Sequence, residues 1–358
     1  MHKRVICLIL CFVLTMLSTP AVAYAVEDDG LGCYIVSSEC PSIYTNFASE
    51  NISKFILSLD EDMHYSSVSV GTPFSFADAD ADVYYFPVLC DGQIEYLFRV
   101  YPDGDSFSAA ITKFLAADLE RLAKYTSASN PMYLNLVGNR IIATIGSQNH
   151  ILFEYPDDMS ISRSETEVAS ISDYNVVNAK DSINIGLNLR ETRDVYEYIT
   201  LDLIETQSGN SWCSAYCLAA IIRTKTNYYT TAKSLMTTVL GSNPSTSTAF
   251  PWAPDSGPTM ASVANQYGLS PTVLTTTASS SVLTAEINAG RPCIAAMTCS
   301  KNKHAVVLRG YSSVGTWGIW NPWFNYYENY SMNGSYVPTG YSSTNYSYTP
   351  YMHAYNFG

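Results

Sequence analysis

Acid is concentrated in one stretch of this sequence, and that partition sets what the chain can fold into. Residues 26–200 hold 27 acidic and 10 basic residues, a net −17, whereas residues 201–358 hold 5 acidic and 7 basic residues, a net +2. A break that sharp points to two units with different jobs. The 358 residues are enough for two cores, and the apolar fraction of 47% is that of a globular chain rather than a disordered one. The overall charge of −13 argues against nucleic acid as a partner, because phosphate binding needs clustered Lys and Arg.

Residues 1–25 read as a secretory signal peptide. His2, Lys3 and Arg4 precede an apolar run from Val5 to Leu17, too short to span a bilayer. Small-x-small cleavage sites follow at Ala23 and Ala25. The expected location is therefore extracellular, with no stable membrane insertion once the signal is removed. Export changes how the cysteines read. Seven lie beyond the signal: Cys33, Cys40, Cys90, Cys213, Cys217, Cys293 and Cys299. An odd number outside the cell hints at one deliberate thiol, with up to three disulfides among the other six. The alternative is that several are simply buried apolar thiols. Only two histidines, His304 and His353, lie beyond residue 200, so no metal site is expected, and no other cofactor is.

Residues 26–155 read as a mixed α+β unit. Ser49–Leu59 has helical spacing, Val83–Pro102 reads as a hairpin turning at Asp91-Gly92, and Ala109–Tyr125 has the pattern of an amphipathic helix. Met132–Val137, Ile141–Ile145 and His150–Tyr155 suggest a three-stranded meander. Asp78, Asp80 and Asp82 alternate but lack the rest of a calcium loop. Residues 156–200 are polar and read as a linker open to proteolysis. From residue 201 onwards helices come first, near Trp212–Arg223, Thr231–Leu240, Pro258–Gly268 and Val282–Ala289. Strands follow at Cys293–Met297, His304–Tyr311 and Trp317–Trp320, again an α+β order.

Three segments of the second unit carry chemistry. In Glu205 to Tyr216 a polar, glycine-containing loop enters an apolar helix, with Cys213 in its first turn and Ser211 or Asn210 available as caps. The positive end of a helix favours thiolate, the nucleophilic form of cysteine. Gln207 sits where its amide can donate to an oxyanion beside the Cys213 N–H. His304 begins an apolar strand, a good place to hold an imidazole at a cleft edge. Asn321 ends the next strand in Trp-Asn-Pro-Trp, where its side-chain oxygen can fix the tautomer of His304. Each piece alone reads as structure; their order, Gln, Cys, His, Asn, on a helix and two strands is far more specific.

The layout resembles the papain-like cysteine peptidases. Glu-Thr-Gln, Trp-Cys-x-x-Tyr and Trp-Asn-Pro-Trp are similar to the staphopain group of secreted bacterial peptidases. The resemblance covers residues 203–325 and extends plausibly to 358. It implies a catalytic domain over 201–358, made of a helical subdomain and an antiparallel sheet or half-barrel. It implies Cys213 as nucleophile, His304 as general acid/base, Asn321 as orienting residue and Gln207 in the oxyanion hole. Trp212 and Trp323 are the expected substrate-binding residues. It also implies that 26–155 is an inhibitory propeptide domain, cut away within 156–200, so that the partners are protein or peptide substrates and the chain's own propeptide. Two departures stand out: Cys213 and His304 are only 91 residues apart, and the tryptophan precedes the cysteine. Cys217, one turn after Cys213, reads as structural. The competing readings are another Cys–His hydrolase, such as a peptidoglycan amidase, and a non-catalytic exported binding protein with a papain-like fold.

Overall fold

The computed structural model describes residues 32–59, 65–76, 83–155, 174–189, 196–252, 258–299, 302–334 and 348–358. The signal peptide and the Asp78–Asp82 alternation lie outside them, as do residues 156–173 and 190–195 of the 156–200 stretch expected to carry the cleavage site. The described residues hold six helices and large antiparallel sheets, an α+β fold.

The acidic half begins with strand β1 (Tyr34–Ser37) and helix α1 (Ser42–Leu57), which buries Tyr44, Ala48, Ile52, Phe55 and Ile56 at helical spacing. Strand β2 (Val68–Gly71) leads to the hairpin of β3 (Tyr84–Cys90) and β4 (Gln93–Asp103). Asp91 and Gly92 turn it with φ of 51° and 81°, the left-handed pair that a tight hairpin requires. The alternation along β4 slips between Ile94 and Tyr96, opposite a register shift at Val88/Leu89. Both faces of this strand are buried, so it shows no clean period of two: Leu97 and Tyr101 enter one core, Phe98 and Val100 another.

The amphipathic pattern over Ala109–Tyr125 divides into two elements. Strand β5 (Ser106–Thr112) takes its first half and helix α2 (Ala116–Ala123) its second. Ala109, Ala110 and Ile111 are fully buried between β4 and a strand from the other half, so pairing on both edges overrides local helical preference. The meander forms as expected from β6 (Met132–Val137), β7 (Arg140–Ile145) and β8 (Gln148–Glu154). The stretch expected as a linker contributes strands as well. There β9 (Asn175–Asn178) pairs with β1, β10 (Ser182–Ile183) with β2, and β11 (Tyr196–Tyr198) with a strand of the second half.

The second half opens with α3 (Cys213–Lys225), buried from Ser214 to Arg223, and continues through α4 (Ala232–Leu240) and α5 (Met260–Asn265). Strand β12 (Thr272–Val273) and helix α6 (Ser280–Asn288) precede β13 (Cys293–Thr298), β14 (Lys303–Ser312), β15 (Thr316–Trp320), β16 (Tyr327–Ser331) and β17 (Thr349–Tyr355). The central strands are buried on both faces. Ile294, Ala305, Val307 and Trp320 pack with α3, while Cys293, Ala295, Met297, Val306, Leu308 and Ile319 form a separate core.

One sheet runs through both halves, in the order β10-β2-β3-β4-β5-β16-β15-β14-β13-β17-β12. The junction is β5 against β16, with Ile111 opposite Asn329 and Ala110 opposite Tyr330. Charge therefore separates the halves, but the backbone does not.

No disulfide joins the seven cysteines from Cys33 onwards. Cys33, Cys217, Cys90 and Cys293 each sit in a different core, which suits buried apolar thiols and rules out pairing among those four. Burial, helped by the carboxylates of Glu120 and of Glu95 and Asp91 respectively, pushes the Cys33 and Cys90 thiols up to about 12.

Candidate active site

Cys213 is the first residue of α3, and Trp212 stands at the N-cap with no side-chain cap bond. Neither Asn210 nor Ser211 caps as expected. Asn210 Oδ1 instead accepts from the Trp212 N–H at 3.1 Å, and the Ser211 N–H donates to the Thr246 carbonyl at 2.7 Å. Cys213 thus sits at the positive end of α3.

The loop before it is held by Arg223, whose side chain is 1% exposed. Its guanidinium donates to the carbonyls of Asp202 and Thr230 and to Glu205 at 2.9 Å. Glu205 also accepts from the Ala232 N–H at the start of α4. Two residues on, the Gln207 N–H donates to the Pro322 carbonyl at 2.7 Å, which ties this loop to the segment carrying Asn321. Gln207 Nε2 donates to the Asn210 carbonyl at 2.6 Å, leaving its second N–H for another acceptor, while its buried Oε1 has no partner among the described residues.

His304 is 3% exposed and Asn321 is fully buried. They meet at 2.9 Å, His304 Nε2 to Asn321 Oδ1. The Trp323 backbone N–H also points at Asn321 Oδ1, at 3.1 Å. A backbone N–H only donates, so that atom must be the oxygen and His304 Nε2 must carry the proton. The neutral imidazole then keeps Nδ1 as its acceptor. Burial holds His304 down to about 4, against which the Asn321 bond acts in the opposite sense. The imidazole is therefore uncharged at neutral pH unless an anion forms beside it. The Trp323 indole stacks on the ring at 4.1 Å between centroids and seals one face. Phe153 and Tyr155 of the acidic half touch the same indole, so that half reaches the histidine through Trp323.

Cys213, His304, Gln207 and Trp323 line one cleft of about 430 Å³. Asn321 stands behind His304, outside the lining. Trp212 is not among the lining residues. Its buried indole packs with the α3 core and donates to the Ser245 carbonyl at 3.0 Å, which anchors a loop. The cleft also holds residues that sequence reasoning missed: Phe250, Trp252, Lys303 and Tyr351. Lys303 was signalled by its position beside His304. Trp252 is fixed by donating to Ser214 Oγ at 2.7 Å, one residue from Cys213. Tyr351 had no local signal, because a register shift between β13 and β17 at Ala296/Met297 sets its position.

Residues 194–347 match the family described as Peptidase_C39 like family. Staphopain A from Staphylococcus aureus strains MSSA476 and MW2 is 22% identical over 205 residues, 52% of this chain and 53% of each relative. The chain thus spans about half the length of the curated relatives it matches. Over residues 194–347 the chain thus resembles the Peptidase_C39-like family and the staphopains, and its α+β fold is consistent with a papain-like domain.

Proposed function

We propose that the protein is a secreted cysteine endopeptidase made as a precursor, with Cys213, His304, Asn321 and Gln207 as its machinery. The observation that carries this reading is the Asn321-bound His304 in one cleft with a cysteine at a helix N-terminus. His304 Nδ1 takes the Cys213 proton as the thiolate forms, and the anion offsets the burial that otherwise keeps the imidazole neutral. The sulfur attacks the scissile carbonyl. The oxyanion is held by the Cys213 N–H and the remaining Gln207 amide N–H. Nδ1 then returns its proton to the leaving amine as the C–N bond breaks, giving a thioester. Water, deprotonated by His304, cleaves the thioester and frees the carboxylate product.

The acidic half is proposed as a propeptide that holds the enzyme inactive until the chain is cut within 156–200. Its support is the shared sheet and the contact of Phe153 and Tyr155 with Trp323. The described residues lining the cleft all come from the second half. Export rests on the sequence of residues 1–25. Among the described residues no helix is long and apolar enough to cross a membrane.

Casein and purified cell wall, offered side by side to protein cut within 156–200, test the reading. Release of casein peptides that Cys213→Ala abolishes supports it. Hydrolysis of cell wall alone would instead identify an amidase.

A further inference from the structure

We propose that this cleft selects peptides carrying an acidic side chain near the scissile bond, and that Lys303 is the residue that selects them. The inference rests on the peptidase reading and names its substrate class. Lys303 begins β14, one residue before His304, and lines the cleft with an exposed side chain. Among the described lining residues it is the only Lys or Arg, and there is no Asp or Glu; the others include Phe250, Trp252, Asn302 and Tyr351. No described carboxylate forms an ion pair with it, so its charge is left for a ligand.

The ammonium is also held in place. It lies 5.3 Å from the centre of the Tyr351 ring, within cation–π range. Tyr351 lines the same cleft; burial, and secondarily the charge of Cys213, raises its phenol above the ordinary value. The ring thus connects the ammonium to the neighbourhood of the reacting sulfur. A fixed cation on largely uncharged walls attracts a carboxylate more strongly than a mobile surface lysine does.

The chain supplies a suitable probe. Residues 156–174 hold five acidic residues and one basic residue. The experiment compares a synthetic peptide of this sequence with its twin in which the five acids are amides. Cleavage is measured with protein cut within 156–200, and binding is measured with the Cys213→Ala form of that protein. The acidic peptide is expected to have the higher kcat/KM and the tighter binding by about 2–5-fold, the scale of one partly exposed ion pair. Lys303→Glu should reverse the ratio, and raising salt to about 0.5 M should shrink it. Equal binding of the two peptides, or a preference that survives Lys303→Glu, overturns the inference. Acid-selective binding that Lys303→Glu reverses, without any cleavage, upholds it and removes the peptidase reading instead.

Discussion

Arg99 of β4 and Glu328 of β16 meet across the junction of the two halves, 3.9 Å apart, with both side chains fully buried. Arg99 also donates to the Tyr330 hydroxyl, and nearby Tyr101 is fully buried too. Beside them, Asn329 donates to Ser58 Oγ at 2.9 Å, again across the junction. The halves are therefore joined by a sheet and a desolvated charge pair rather than by the surface attraction that −17 and +2 suggest.

Removing one partner should strand the other charge. Arg99→Met alone is expected to cost about 3–5 kcal/mol, and Arg99→Met with Glu328→Gln to recover much of it. Urea unfolding of the two single variants and the double variant measures the coupling. Simple additivity would mean that the pair does not act as a unit. Because the pair is buried, stability should change little with added salt; a marked loss would point back to surface charge.

Gln207→Ala should lower kcat by on the order of 100-fold with a smaller change in KM, because the amide acts on charge that develops only during reaction. Steady-state kinetics on a fluorogenic peptide gives both constants. A rise in KM at constant kcat would place Gln207 in ground-state binding instead.

His304 and His353 are both buried, and burial lowers each to about 4. The unfolded chain, with histidines near 6.5, binds protons that the folded one refuses as pH falls from about 6.5 to 4, so stability drops through that window, by about 3 kcal/mol per histidine at most. His353 Nδ1 accepts from the Ala278 N–H at 2.9 Å, a bond that a glutamine oxygen can replace. His353→Gln should therefore flatten the acid limb of stability measured by urea midpoints between pH 7 and pH 4.5. An unchanged slope would show that His353 does not contribute.

Much of the site was legible in the sequence because its residues sit at element boundaries with local signals. Gly209 and Asn210 before an apolar run announce the helix of Cys213, and the switch from Lys303 to apolar residues announces the strand of His304. Asn-Pro marks the end of β15. The Asp91-Gly92 hairpin was legible for the same reason. What failed depended on distant partners. Ala109 to Thr112 became a strand because β4 and β16 claim both of its edges. Trp212 looked like a cleft residue until the Ser245 carbonyl took its indole. The cysteines allowed up to three disulfides or buried apolar thiols, and Cys33, Cys90, Cys217 and Cys293 fall into four separate cores, which no spacing reveals.

The central claim is that Cys213 is a nucleophile activated by His304. Treatment with an epoxide-type cysteine-peptidase inhibitor, followed by intact-mass and peptide mapping, tests it most directly. The account predicts a single adduct on the Cys213 peptide, retained in Cys217→Ala and lost in both Cys213→Ala and His304→Ala. An adduct on any other cysteine, or labelling of Cys213 at an undiminished rate in His304→Ala, would contradict it.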